Sequence, residues 1–132
     1  MNDKKLVELA IKARENSYSP YSKFKVGAAL ITKSGEVFLG ANVENASYPL
    51  CMCAERNALY NAINHGFKKD DFAAIAVVGD TNKPITPCGA CRQVMSELLD
   101  SKTPIYMANL KGDVQTTNMI ELLPFAFDDS DL

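Results

Sequence analysis

Long apolar runs are missing from this chain. The longest, "FAAIAVV" at residues 72–78, falls far short of the roughly 20 apolar residues a spanning helix needs. No membrane partner is expected. An apolar leader is missing too. The chain opens "MNDKKLVELA", polar and charged from its start, which sets the expectation of a cytoplasmic protein with no secretory signal. Positive charge is not in excess: 14 Lys and Arg face 16 Asp and Glu, for a net charge of -2. The basic residues are scattered, so neither balance nor clustering attracts a phosphate backbone, and no nucleic acid is expected as partner. Repeats, linkers and low-complexity segments are absent as well.

What is present is enough for one core. The 132 residues are 47% hydrophobic and 23% charged, as expected of a single domain over 1–132. "DKKLVELAIKAREN" has helical spacing at Leu6, Val7, Leu9, Ala10 and Ala13, with Asp3 as expected N-cap. "KVGAALIT" and "EVFLGANV" read as strands about the turn "KSG". A helix follows over Ala54 to Asn64, closed by Gly66. "FAAIAVVGD" has the unbroken apolar character of a strand covered on both faces. Cys88 to Leu99 is expected to be a helix, "TPIYMANL" and "DVQTTNM" two strands, and "IELLPFAF" a short helix stopped by Pro124. This alternation predicts an α/β fold, a five-stranded sheet sandwiched between helices.

Four cysteines carry the chemistry: Cys51, Cys53, Cys88 and Cys91. In a reducing compartment such spacing points to metal or redox chemistry. Cys88 and Cys91, three apart at a helix start, share one face, and the positive end of the helix favours thiolate. Pro87 fixes the entry, and Gly89 leaves room for backbone near a metal. A lone C-x-x-C fits a redox pair equally well. Cys53, at the start of a second helix, favours a metal. Three thiolates leave the fourth place of a tetrahedral zinc open, as catalytic zinc requires. Cys51 is too near Cys53 for easy joint ligation. His65, the only histidine, lies beyond the far end of a helix roughly 15 Å long at 1.5 Å per residue. His65 is therefore expected at that helix's C-terminus.

Glu55 is a first-turn glutamate, an ordinary place for dipole compensation. Beside three thiolates it is also a carboxylate able to take a proton from water. Arg56 either donates to the thiolates and draws charge from them or is a solvated surface residue; the sequence favours neither.

"CAE" at 53–55 followed by "PCGACRQ" at 87–93 resembles the cytidine deaminases of nucleoside salvage. The wider superfamily carries H-x-E and P-C-x-x-C; cysteine in place of that histidine resembles its small homotetrameric, three-cysteine members. "PYSKFKVGAAL", "GANVENASYPLCMCAER" and "ELLPFAF" extend the likeness over nearly the whole chain. The resemblance implies a three-layer α/β/α sandwich with a mixed sheet. It implies one Zn2+ per chain on Cys53, Cys88 and Cys91, with Glu55 as proton shuttle. It implies hydrolysis of cytidine and deoxycytidine to uridine, deoxyuridine and ammonia. Phe24 would pack on the pyrimidine, Asn42 and Glu44 would bind the ribose hydroxyls, and Ala54 would contact the base through its amide. Tyr48 would lie at a subunit boundary and Phe127 would reach a neighbour's site in a homotetramer. Against this, Phe24 and Phe127 also read as core, and Asn42 and Glu44 as turn residues. Cys51 and Met52 depart from the family pattern, and Phe125 competes with Phe127. The rivals are a deaminase of nucleoside-like antibiotics of the blasticidin type, a structural four-cysteine zinc protein, and a thiol oxidoreductase.

Overall fold

A computed structural model describes residues 1–132. Its elements are α1 (Asp3–Arg14), β1 (Val26–Thr32), β2 (Val37–Ala41), α2 (Ala54–Asn64), β3 (Phe72–Gly79), α3 (Gly89–Leu98), β4 (Ile105–Asn109), β5 (Val114–Thr117) and α4 (Met119–Leu122). The strands form one sheet in the order β2-β1-β3-β4-β5. β1 is antiparallel to both β2 and β3, β3 is parallel to β4, and β4 is antiparallel to β5. The sheet is mixed, as expected.

Strand alternation sorts the core into two layers. On one face Leu6, Val7 and Ala10 of α1 pack on Ala29, Ile31, Ala74, Ala76 and Val78. On the other, α2 and α3 bring Ala58, Leu59, Cys91 and Met95 onto Ala28, Leu30, Ile75 and Val77. A register shift between Ile31 and Thr32 pairs Thr32 with Phe72. One extra residue there flips the alternation, which is why Phe72 joins the α2–α3 face although Ala74 does not.

This topology places the two cysteine-bearing helix starts together. β2 and β3 both run antiparallel to β1, so they run parallel to each other and end at the same sheet edge. α2 follows β2 and α3 follows β3, and both pack on the same face. Their N-termini therefore meet at the carboxyl ends of the strands, where open α/β sheets form crevices. Close approach is enforced at Gly40 of β2. A Cβ there would lie 2.3 Å from Ala54 O and 2.6 Å from Ala58 N, so only glycine lets the first turn of α2 sit this near the sheet.

Three local details differ from the sequence reading. Asn2, not Asp3, caps α1, its side chain accepting from Lys5 N. Cys88 is the cap of α3 and not its first helical residue. Asn118 ends β5 and caps α4 by accepting from Glu121 N, so Met119 belongs to the helix.

Candidate active site

Cys53 caps α2 positionally, yet its side chain makes no capping hydrogen bond. Its sulfur belongs instead to a cluster: the Sγ atoms of Cys53, Cys88 and Cys91 all lie within 4.8 Å of one another. Cys53 and Cys88 are 3.9 Å apart. A tetrahedral zinc with Zn–S bonds of ~2.3 Å requires sulfurs ~3.8 Å apart, so these thiols fit the ion with little adjustment. Cys91 N donates to Cys88 Sγ at 3.4 Å, so a thiol of the cluster also caps α3.

The electrostatics suit thiolate. Cys53 is brought down to about 5 by a hydrogen bond from the Cys91 thiol and by the guanidinium of Arg56. Cys91 is pushed up because it holds the proton it shares with Cys53, and because it is buried. Arg56 Nη2 donates to Cys53 Sγ at 3.3 Å. That contact puts the guanidinium on a thiol, the geometry that the first of the two readings of Arg56 requires.

Cys51 stays outside the cluster. Its Sγ accepts from Asn45 N at 3.3 Å and faces Asn45 O at 3.6 Å. His65 caps the far end of α2, with Nδ1 2.8 Å from Asn61 O. Both positions match expectation. A Cβ at Gly89 would meet no atom of the chain within 4 Å.

Glu55 is only 4% exposed. Burial, reinforced by the charge of Cys53, pushes its carboxyl up to about 7. With Phe24, Val26, Asn42, Cys53, Ala54, Ile85, Thr86 and Cys88 it lines a cavity of about 250 Å³. A second cavity of about 310 Å³ shares Phe24, Asn42 and Cys53 with the first and adds Ser22, Glu44, Tyr48 and Cys51. The site thus has a half beside the thiols and a half beside Glu44, with Phe24 and Asn42 between. A larger depression of about 620 Å³, lined by α3, α4 and Phe125, contains none of the thiols; the chemistry, not the volume, marks the site.

Of the residues expected from sequence, Phe24, Asn42, Glu44, Tyr48, Ala54, Glu55, Cys53 and Cys88 line these two cavities, while Cys91 is buried and joins them only through the sulfur cluster. Phe127 does not: it is exposed, and its carbonyl accepts from Gln93 Nε2 at 3.0 Å. Phe125 is fully exposed in a left-handed conformation, φ 56°. Sequence reading missed Ile85 and Thr86, which sit in a stretch legible only as loop. It also missed Ser17 and Ser22. Ser17 Oγ donates to Asn42 Oδ1, which also accepts from Val26 N at 2.9 Å. Asn42 Nδ2 donates to Phe24 O at 2.8 Å. These bonds hold the amide and use one of its two N–H groups.

Residues 1–107 match the family described as "Cytidine and deoxycytidylate deaminase zinc-binding region". That description and the thiol geometry agree on one Zn2+ per chain, held by Cys53, Cys88 and Cys91. The chain is 54% identical to a cytidine deaminase of Halalkalibacterium halodurans over 100% of its own length and 98% of the relative's. It is 48% identical to one of Sporosarcina psychrophila, over 100% and 96%. A crystal structure of cytidine deaminase from Burkholderia pseudomallei superposes with a TM-score of 0.94 at 57% identity, covering 96% of this chain and 100% of that one. With a buried glutamate beside three clustered thiols, and likeness over its full length, the chain belongs to the cytidine and deoxycytidylate deaminase family.

Proposed function

We propose that the chain hydrolyses cytidine and deoxycytidine to uridine and deoxyuridine, releasing ammonia, in pyrimidine salvage in the cytoplasm. The observation that carries this reading is the Glu55 carboxyl. It is buried on the wall of a cavity of about 250 Å³ that also holds Cys53 and Cys88, a volume suited to one heterocycle rather than a drug-sized ligand. Zinc on Cys53, Cys88 and Cys91 supplies the Lewis acidity that brings the pKa of water toward neutrality.

The chain's own residues do the rest. Glu55 accepts a proton from water and delivers it to ring N3, which draws electrons from C4. The water oxygen then bonds C4, making it tetrahedral. Glu55 carries the second proton from that oxygen to the amino nitrogen. The C4–N bond breaks, its electron pair leaves with ammonia, and C4 regains a carbonyl. A carboxyl that burial raises from its ordinary range is suited both to take and to give a proton. The Ala54 amide, at the N-terminus of α2, is placed to meet the base. Phe24 stacks on the pyrimidine, while Asn42 Nδ2 and the Glu44 carboxylate read the sugar hydroxyls.

Tyr48 and Phe127, exposed in the single chain, support a homotetramer in which they stand at a neighbour's site. Light scattering tests the assembly; an active monomer at working concentration rules it out. Ammonia release from cytidine, with and without a zinc chelator, tests the activity. Release that the chelator abolishes is the expected outcome, and no release from cytidine overturns the reading.

A further inference from the structure

Phe24 is carried by a loop in an unfavoured conformation. Lys23, between Ser22 and Phe24, has φ 61°, a region side-chain-bearing residues adopt only where the surroundings over-determine it. Those surroundings centre on Ser22. Its Oγ donates to Glu44 Oε2 and accepts from Phe24 N at 3.0 Å. A hydroxyl has one proton and two lone pairs, so both bonds form at once. The second oxygen of Glu44 accepts from Tyr21 N and Ser22 N, each at 3.1 Å. Lys23 N donates to Ser19 O at 3.0 Å, and Glu44 N to Tyr18 O at 2.8 Å. One hydroxyl therefore joins the carboxylate of one cavity to the aromatic wall shared by both.

We propose that Ser22 is a positioning residue that couples Glu44 to Phe24, so that the sugar-reading carboxylate and the base-stacking ring are set together. The assignment rests on the nucleoside reading above. Without the hydroxyl, Lys23 is free to relax to negative φ, Phe24 swings with it, and Glu44 Oε2 turns to water. Glu55 and the thiols, held by α2 and α3, stay in place. The loss therefore falls on substrate binding and leaves the chemical step alone.

Ser22→Ala is expected to raise KM for cytidine about tenfold with kcat changed less than about twofold, at unchanged zinc content. Ser22→Thr, which keeps the hydroxyl, restores KM. Combined with Glu44→Gln, the Ser22→Ala effect shrinks, because both changes cut one connection. Amide exchange followed by NMR reads the loop directly: the Phe24 N–H exchanges faster in Ser22→Ala and not in Ser22→Thr. A KM for Ser22→Ala within about twofold of the parent overturns the proposal, as does a loss confined to kcat. If the parent protein shows no turnover of cytidine, the nucleoside reading fails by itself. The Phe24 amide then decides the role of Ser22, and unchanged exchange overturns it.

Discussion

Arg56 Nη2 lies 3.3 Å from Cys53 Sγ, while the Nε of the same guanidinium is buried without a partner. Leaving a buried donor unpaired is costly, so the side chain is held there by the sulfur. Three thiolates give their zinc a net charge of about -1, weakening it as a Lewis acid; a cation donating to one sulfur draws part of that charge away. Arg56→Gln is expected to keep one zinc per chain and to lose about tenfold in kcat, within the range for a lost partner of a metal ligand. Metal analysis with steady-state kinetics checks it; unchanged kcat would return Arg56 to a packing role.

Glu55→Gln removes the proposed proton carrier while keeping size and shape. Fold and zinc are expected to remain, and turnover to fall by at least about 10²-fold, the usual loss when a general acid–base is removed. Near-normal turnover would leave Glu55 only its effect on the start of α2.

Cys88 and Cys51 make opposite predictions from the same chemistry. Cys88 Sγ stands in the cluster and Cys51 Sγ bonds the backbone of Asn45. Cys88→Ser is expected to lose zinc and Cys51→Ser to retain it, by metal analysis after desalting. Zinc loss in the Cys51 variant would show that the ligand set is wrong.

Gly40 controls how near α2 comes to the sheet. A methyl there would press on Ala54 O and Ala58 N, backbone atoms that cannot turn aside. Gly40→Ala is expected to cost about 1–3 kcal/mol and to lower Tm by roughly 3–10 °C. The open surroundings of Gly89 make Gly89→Ala the control, within about 0.5 kcal/mol of the parent. Equal Tm for both variants would mean that α2 shifts without penalty.

The sheet and the cysteine cluster were legible because each rests on a local pattern. The unbroken apolar runs of β1 and β3, the Gly66 stop and the paired helix starts all leave marks over a few residues. The convergence of Cys53 with Cys88 depends on a strand order that places β1 between β2 and β3, which spacing alone does not encode. Ser22 was missed because serine in a loop reads as a break in pattern; its meaning lies in Glu44, 22 residues away. The register shift at Thr32 was hidden for a related reason: in a strand buried on both faces, inward and outward residues are equally apolar. Arg56 was ambiguous in sequence because its contact with Cys53 exists only once the first turn of α2 is built.

The sugar-reading role proposed for Glu44 also limits what can be attached to the sugar. Hydrogen bonding by Ser22 holds its carboxyl below the ordinary carboxylate range, with the Tyr21 and Ser22 amides and the charge of Lys23 acting in the same direction. It is therefore ionised at neutral pH. An ionised carboxylate accepts from a sugar hydroxyl and repels a phosphate on the same oxygen. Lys23 offers partial compensation, but no arginine lines either cavity. Cytidine is expected to exceed 3′-CMP in kcat/KM by at least about tenfold at low salt, where screening is weakest. Cytosine within an oligonucleotide should fare no better than 3′-CMP. Raising the salt should narrow the gap if charge is the cause and leave it unchanged if cavity shape excludes the phosphate. Glu44→Gln separates the same two causes at fixed salt: it narrows the gap only if the charge on the carboxylate does the excluding. Equal kcat/KM for all three substrates would reject the free nucleoside as preferred substrate and favour an enzyme acting on polynucleotides.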